Sequence, residues 1–202
     1  MRITKRDKAL LKWLEDVSLT KEKNGINNKI AGNLFYNNCK DPYYNASRRL
    51  KELYRNGFLK RHRKSISDDY IYYNDERPLS EHQMKLLEVY SKLSTLGDVI
   101  LFEREVEVIG SKKKRKNDGL VVIKNNNIEY PIIIEIDKTH DTDITKINNI
   151  IESNYYQNRF GKMPTMLIVK RYEFQKKFYS KNINIVYIDW DLNNINELLF
   201  YK

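Results

Sequence analysis

The sequence predicts an α+β protein of two domains, and three observations support this prediction. Apolar residues recur at helical spacing through most of the first half of the chain. From about residue 99 the apolar period changes from that of helices to that of strands. A polar stretch at 74–77, followed by Pro78, separates the two patterns. The predicted parts are an N-terminal domain at 1–77, a connecting helix within 78–97 and a C-terminal domain at 98–202.

The composition favours a cytoplasmic protein with a polyanionic partner. The 202 residues include 37 Lys and Arg against 27 Asp and Glu, a formal net charge of +10 at pH 7. Such an excess attracts nucleic acid, because binding releases counterions. The single cysteine, Cys39, allows no disulfide within the chain, and no cysteine–histidine zinc site fits the sequence. Charges interrupt the apolar positions of the amino terminus, so we expect neither a signal peptide nor membrane association.

The first two helices are predicted from apolar stripes. Residues 5–17 place four apolar side chains on one helical face, with charged residues opposite. After a turn at Asn24-Gly25, apolar residues at four-residue spacing predict a short second helix that ends near Phe35. The residues of the two stripes are Leu10, Trp13, Leu14, Val17, Ile26, Ile30 and Leu34.

A third helix and a hairpin follow, and both are basic on the outside. Asp41-Pro42 predicts the helix start and Gly57 its C-terminal cap, so the helix covers 43–56. Ala46, Leu50 and Leu53 share one face of this helix, and Tyr44, Arg48, Lys51 and Arg55 lie roughly opposite. Residues 58–73 then predict two short strands joined at about 65–69.

Three helices followed by a basic hairpin is the order that places one helix in a major groove and the hairpin beside the DNA backbone. The run NASRRLKELYRNGFLKRHR resembles the recognition helix and first wing strand of winged helix-turn-helix proteins. We therefore predict a winged helix-turn-helix that binds double-stranded DNA. The alternatives are a basic face that is only solvated or that binds protein. The candidate DNA-binding residues are Tyr44, Asn45, Ser47, Arg48, Arg49, Lys51, Arg55, Lys60, Arg61, Arg63 and Lys64.

A capping box at Ser80 and Gln83 predicts the start of the connecting helix, which covers about 79–95. Its apolar stripe could join the C-terminal domain or a second copy in a homodimer, and a stripe of this length more often packs within its own chain. The stripe consists of Met84, Leu87, Tyr90 and either Leu93 or Leu96.

The C-terminal domain begins with a strand and a basic loop. Residues 99–109 alternate, with Glu103, Glu105 and Glu107 on a face that we expect to meet solvent. The run SKKKRKN after them either contacts phosphates or is a solvated loop.

An asparagine-rich turn between two apolar runs then predicts a β-hairpin. If the turn is centred between Asn126 and Asn127, Asp118 lies opposite Glu135, with Cβ atoms about 5 Å apart. Two carboxylates at this separation can share one divalent cation.

The order strand, hairpin, helix, strand, helix, strand predicts an α/β domain whose sheet is covered by helices. The last elements are a helix at 141–160, a strand at 165–170, a short helix at 172–179 and a strand at 183–190. With Asn117-Asp118 and Glu135-Ile136-Asp137-Lys138, this order resembles the PD-(D/E)xK nuclease-like fold. The resemblance implies that Asp118 and Glu135 bind Mg²⁺, and that Asp137 and Lys138 stand at or beside the catalytic lysine position.

The sequence departs from the nuclease pattern at that lysine. In the family a lysine two residues after the acid shares its strand face and helps to position the attacking water. Position 137 is aspartate here, and Lys138 falls on the opposite face unless a slipped register or a bulge restores it. We therefore predict a domain without catalytic activity and without a cofactor, with a Mg²⁺-dependent endonuclease as the alternative.

A winged helix joined to such a domain resembles the replication-relaxation family of plasmids, phages and mobile elements. The family has an aspartate, then an E-x-D pair and a basic residue, and the matching residues are Asp118, Glu135, Asp137 and Lys138. Lys146 and Tyr155 correspond to a lysine and a tyrosine of its helix. The resemblance implies a sequence-specific DNA-binding accessory protein of replication or conjugative transfer, with a relaxase or replication protein as partner. A dimeric transcriptional regulator is the third hypothesis.

Overall fold

The computed structural model describes residues 1–16, 24–75, 77–111, 115–172, 177–193 and 195. The chain divides into two units, Met1–Thr95 and Leu96–Lys202, and each combines helices with strands. The protein is therefore α+β, as predicted. Val17 of the first stripe, 112–114 of the basic run and 173–176 of the predicted short helix lie outside the described residues. Among the helices described, none is both long and apolar enough to cross a membrane.

The described part of the N-terminal unit has four helices and a short hairpin. In chain order they are α1 (Lys5–Glu15), α2 (Asn28–Phe35), α3 (Pro42–Arg55), β1 (Lys60–His62), β2 (Ile71–Tyr73) and α4 (Glu81–Leu93). These are the predicted elements, with bounds that differ by a few residues. Ile26 does not open α2 but pairs with Tyr72 of β2 as an isolated bridge. Gly57 closes α3 with a φ of +78°, a conformation that glycine adopts without strain.

The predicted apolar stripes form the core of this unit. Its buried side chains include Leu10, Leu14, Ile26, Ile30, Ala46, Leu50 and Leu53. Full burial of one such leucine or isoleucine contributes about 1.5–3 kcal/mol. Helix α4 packs on α2, where Asn27 donates to Glu88 over 2.5 Å and Asn33 donates to Ser91 over 3.1 Å. Thus α4 belongs to the N-terminal unit.

In the C-terminal unit, five described strands form one sheet in the order β3-β4-β5-β6-β7. The elements are β3 (Asp98–Val108), β4 (Arg115–Asn125), β5 (Ile128–Asp137), α5 (Ile144–Glu152), α6 (Tyr155–Phe160), β6 (Thr165–Lys170) and β7 (Ile185–Asp189). Strands β3 to β5 are antiparallel, and β5 to β7 are parallel. The β4–β5 turn lies at Asn126 and Asn127, both with positive φ, as a two-residue hairpin of this kind requires. Val121 pairs with Ile132, so the predicted turn and register are confirmed.

Two sequence predictions for this unit are wrong in detail. The helix predicted at 141–160 is interrupted at Asn154, whose φ of 53° ends α5 before α6 begins. The acidic face of β3 is also broken, because Glu105 has a φ of 48° and alternation cannot continue through it. Glu103 is paired with Arg159 of α6, at 2.9 Å, and is only half-exposed, whereas Glu105 and Glu107 are exposed, as predicted.

Helices α5 and α6 cover one face of the sheet. The core between them includes Leu120, Ile133, Ile147, Ile150, Tyr156, Met166 and Ile168. This packing places the side chains of α5 and α6 directly over β4 and β5, where the predicted carboxylates lie.

Candidate nucleic-acid interface and buried carboxylate cluster

One face of α3 carries a row of exposed side chains. Spacings of four, three and four residues put them on the same side of the helix, and they are Tyr44, Arg48, Lys51 and Arg55. Tyr44 is 61% exposed. Within the described ranges, none of the three cations forms an ion pair with another residue. Their charges are therefore available to an anion outside the protein.

Arg49 was predicted as a DNA-binding residue, but the structure turns it into the protein. Its Nε and Nη2 atoms donate to the two carboxylate oxygens of Asp7 over 2.8 and 2.5 Å, and Nη1 donates to Glu52 over 2.6 Å. Asp7 is only 1% exposed. Burial raises the pKa of Asp7, but the hydrogen bonds from Arg49 and Thr4 outweigh it and lower the pKa overall. Arg49 therefore attaches α3 to α1.

Two other predicted residues of α3 lie beside the exposed row. Asn45 is half-buried and its side chain donates to the backbone oxygen of Asp41 over 2.7 Å, within the first turn. Ser47 is also half-buried. Both lie away from the centre of the row formed by the exposed tyrosine and cations.

The hairpin arginines lie against aromatic rings. The guanidinium carbon of Arg61 is 4.1 Å from the ring centre of Tyr54 and 4.2 Å from that of Tyr70. Arg63 lies 4.6 Å from the centre of the Tyr70 ring. These are cation–π distances, so both arginines have partners within the protein.

The remaining hairpin cations differ in their contacts. Lys60 donates to the backbone oxygen of Asp75 over 3.0 Å. Lys64 is exposed and forms no hydrogen bond with a residue that the structure describes. Two residues further on, Ile66 is 86% exposed in the loop between β1 and β2. Of the four hairpin cations, Lys64 thus has the fewest contacts with the described residues of the protein.

Glu135 lies at the centre of a buried polar cluster. It is 2% exposed, and Lys146 of α5 lies 2.6 Å from its Oε2 atom. The side-chain amide of Asn117 donates to Oε1, and the Tyr156 hydroxyl donates to the Asn117 amide oxygen over 2.7 Å. Burial raises the pKa of Glu135 to about 7, although Lys146 opposes this effect.

Asp118 lies near Glu135, as predicted, and its charge helps to raise the pKa of Glu135, but its carboxylate is also bound by the backbone. The β4–β5 register runs as predicted up to the Gly119–Ile134 pair. Beyond it, the Asp118 carboxylate accepts the backbone N–H of Ile136 over 2.7 Å, and Asn117 donates to Glu135. The broken alternation of β3 lies beside this point, since Glu105 falls between the residues paired with Asn117 and Gly119.

Asp137 is the last residue of β5, and Lys138 follows it outside the strand. The Asp137 carboxylate accepts the backbone N–H and the hydroxyl of Thr142 over 2.8 and 2.7 Å. Burial raises the pKa of Asp137, and these hydrogen bonds oppose the rise. Strand β5 is regular through Asp137, so no bulge within the strand brings Lys138 to the face of Glu135. Lys138 and Asp137 both line an open cleft of about 550 Å³, together with Thr139, His140, Asp141, Lys170 and Tyr172.

These contacts do not fit the Mg²⁺ ion that the nuclease-like resemblance implies. A divalent cation needs carboxylate oxygens that face one open position. Here Lys146 and Asn117 take the two oxygens of Glu135, and Thr142 takes both oxygens of Asp137. In the part of the chain that the structure describes, no three His, Cys, Asp or Glu side chains are grouped to hold a metal ion.

Sequence reasoning missed two residues of these sites. Burial of Asp7 could have been predicted, because it precedes Leu10 and Leu14 by three and seven residues and so lies on their buried helix face. The position of Tyr156 could not, since the resemblance pointed to its neighbour Tyr155. The structure places Tyr156, not Tyr155, in the cluster around the buried glutamate.

Comparisons with known proteins find no match for this chain, whether among family models, curated proteins or solved structures. Its function therefore has to be inferred from the two sites described above.

Proposed function

We propose that the chain is a sequence-specific double-stranded DNA-binding protein whose N-terminal unit is a winged helix-turn-helix. The row of exposed cations on α3, Arg48, Lys51 and Arg55, carries this proposal. An α-helix fits the major groove, where arginine can donate two hydrogen bonds to guanine. The hairpin follows α3 and would lie beside the phosphate backbone.

The distribution of charge supports the same proposal. The chain has a net charge of +10, and the three cations of α3 form no ion pair with a described residue. A surface cation that neutralises a phosphate releases counterions, and each such contact changes the slope of log K against log salt by about −0.9. We therefore expect affinity for DNA to fall steeply as the salt concentration rises.

The C-terminal unit, in this proposal, has a nuclease-like fold that does not cut DNA. Metal-assisted phosphodiester hydrolysis needs a cation with an open coordination position for water or substrate. The contacts that Lys146 and Asn117 make with Glu135 support a structural role for this carboxylate. Taken with the resemblance to the replication-relaxation family, they favour an accessory factor of plasmid or phage replication or conjugative transfer. A relaxase or replication protein would be its partner.

The proposal is tested by incubating the purified protein with a pool of fragments from its own replicon. Binding is measured in moderate salt with Mg²⁺ or Mn²⁺ present, and the retained DNA is then sized. We expect one intact region to be retained. The double variant Arg48→Ala with Arg55→Ala should lose this selectivity. The control, Lys8→Ala with Lys12→Ala, removes the same charge from exposed positions of α1 and should keep it.

Two outcomes would contradict the proposal. Equal retention of all fragments by the unaltered protein and the α3 variant would remove α3 from recognition. Metal-dependent cleavage that Asp118→Ala abolishes would make the protein a nuclease.

A further inference from the structure

The hairpin is attached to α3 at two separate points. Towards the N-terminus of α3, the Tyr43 hydroxyl donates to the Asp69 carboxylate over 2.8 Å. Towards its C-terminus, Tyr54 and Tyr70 lie on Arg61 at 4.1 and 4.2 Å. Tyr43 and Tyr54 belong to the helix, and the other three residues belong to β1 or the loop after it. Two attachments three helical turns apart fix both the position and the direction of the hairpin along the helix.

The strands of the hairpin cannot do this alone. Each has three residues, and an isolated two-stranded hairpin is marginally stable in water. Strand β2 has backbone hydrogen bonds on its far side, where Ile26 and Tyr72 exchange two bonds of 2.9 and 2.7 Å. Among the described strands of this small sheet, β1 lies at the edge. Arg61 is a side chain of this edge strand that reaches α3, through its contact with Tyr54.

Arginine suits this place because its guanidinium group is flat and stacks on aromatic rings. Arg61 is half-buried and has a ring from the helix and a ring from the hairpin within 4.2 Å of its guanidinium carbon. Lys64 has neither contact and is exposed. Arg61 and Lys64 thus stand in different surroundings, since Arg61 is half-buried between two rings and Lys64 is exposed.

We propose that Arg61 is a positioning residue that holds the hairpin at a fixed distance from α3, so that helix and hairpin meet duplex DNA as one unit. Lys64 is then the hairpin cation that contacts a phosphate. This inference rests on the proposed function, since it names the part of the site that sets the spacing between groove and backbone contacts. Arg61 acts through Lys64 and need not contact DNA itself.

The test is a double-mutant cycle on the DNA fragment that the protein retains. Lys64→Gln should weaken binding about fivefold in the unaltered protein, as expected for loss of one phosphate contact. In an Arg61→Gln background the same change should have almost no further effect, because the hairpin no longer holds residue 64 at the backbone. Multiplied effects of the two changes would mean that Arg61 contacts DNA independently and would overturn the inference.

A second measurement needs no DNA. Amide hydrogen exchange of β1 and β2 in the full chain should become at least tenfold faster in Arg61→Gln and in Tyr54→Leu, while α1 stays protected. Tyr54→Phe keeps the ring, so its hairpin exchange should be as slow as in the unaltered protein. Lys64→Gln should also leave hairpin exchange unchanged. Unchanged hairpin exchange in Arg61→Gln would overturn the inference. Failure of the unaltered protein to select any fragment would count against the proposed function alone, because this exchange comparison involves no DNA.

Discussion

The outer face of α3 and the cluster around Glu135 both concentrate charged groups, but they treat charge in opposite ways. On α3, Arg48, Lys51 and Arg55 are exposed and form no ion pair with a described residue. In the cluster, the buried carboxylate of Glu135 has contacts with Lys146 and an amide. A charge in solvent needs no partner, whereas a buried charge is costly unless it is paired and hydrogen-bonded. The charges of the first region are therefore open to an external ligand, as the proposed function requires, whereas those of the second have partners within the fold.

Arg49 shows that the contrast depends on direction and not on the element. It stands on the same helix as Arg48 and beside it in the sequence, yet its guanidinium is bonded to Asp7 of α1. One step of about 100° around a helix is enough to move a side chain from the solvent to the core. Variants of α3 and of the cluster around Glu135 can therefore test whether exposed and buried charges have these different roles.

The largest effect is expected from breaking the internal pair on α3. Asp7→Ala would leave Arg49 without its main partner, and loss of one member of a buried pair costs about 3–5 kcal/mol, so we expect about 3 kcal/mol at this partly exposed arginine. Denaturant unfolding at pH 7 measures this. Lys116→Ala, which breaks an exposed pair with Glu105, should cost less than about 1 kcal/mol. Equal losses of unfolding free energy in Asp7→Ala and Lys116→Ala would refute the distinction between buried and exposed ion pairs.

The same pair has a pH dependence with a definite sign. The pKa of Asp7 is lowered in the folded chain, so its pairing stabilises the protein above the ordinary pKa of 3.8. This contribution is lost as the pH falls through the folded-state value. The unaltered protein should therefore lose more stability between pH 5 and pH 2 than Asp7→Asn does, and parallel curves would contradict the prediction.

A smaller effect, on binding and not on stability, is expected from the exposed row. Arg48→Ala with Arg55→Ala should weaken specific binding about 100-fold, because each arginine contact to a base contributes about 1–3 kcal/mol. Thermal unfolding should shift by only a degree or two, since both side chains are exposed. Titration with the selected fragment measures the change in affinity, and a melting curve measures the change in stability. A large loss of stability with unchanged affinity would show that these two arginines support the fold and do not bind DNA.

The stability of the buried cluster around Glu135 should depend on pH and on Lys146. Between pH 4.5 and about 7 the folded chain holds a proton on Glu135 that the unfolded chain has lost, so stability falls as the pH rises. Lys146→Met removes the cation and should lower stability by about 2 kcal/mol at pH 8, with much of the loss recovered at pH 5. Glu135→Gln should remove this dependence. An equal loss for Lys146→Met at both pH values would show that packing, not charge, is responsible.

The smallest effect is expected at Asp118. Asp118→Asn keeps an oxygen that can accept the N–H of Ile136, so stability should change by less than about 1 kcal/mol. We also expect unchanged retention and unchanged length of the bound DNA. A loss of DNA retention in this variant would connect the cluster to the nucleic-acid interface and weaken the separation of the two regions.

The sequence predicts the elements better than the contacts between them, for physical reasons. Helix starts and the β4–β5 turn are determined by neighbours in the chain, such as the Asn126-Asn127 pair with its positive φ values. The Asp7–Arg49 pair joins residues 42 positions apart and depends on packing that no local pattern reports. The contact of Asn117 with Glu135 occurs where the neighbouring strand has an unusual backbone angle, at Glu105, which no sequence pattern predicts.

The pairing of Glu135 with Lys146 has a consequence for handling the protein and for its life in a cell. The cation that neutralises this carboxylate is covalently part of the chain, so dilution cannot remove it and EDTA cannot extract it. The C-terminal unit should melt at the same temperature in a chelator as in millimolar magnesium. We therefore expect this domain to keep its shape when the supply of divalent metal fluctuates, unlike domains that must bind an ion in order to fold.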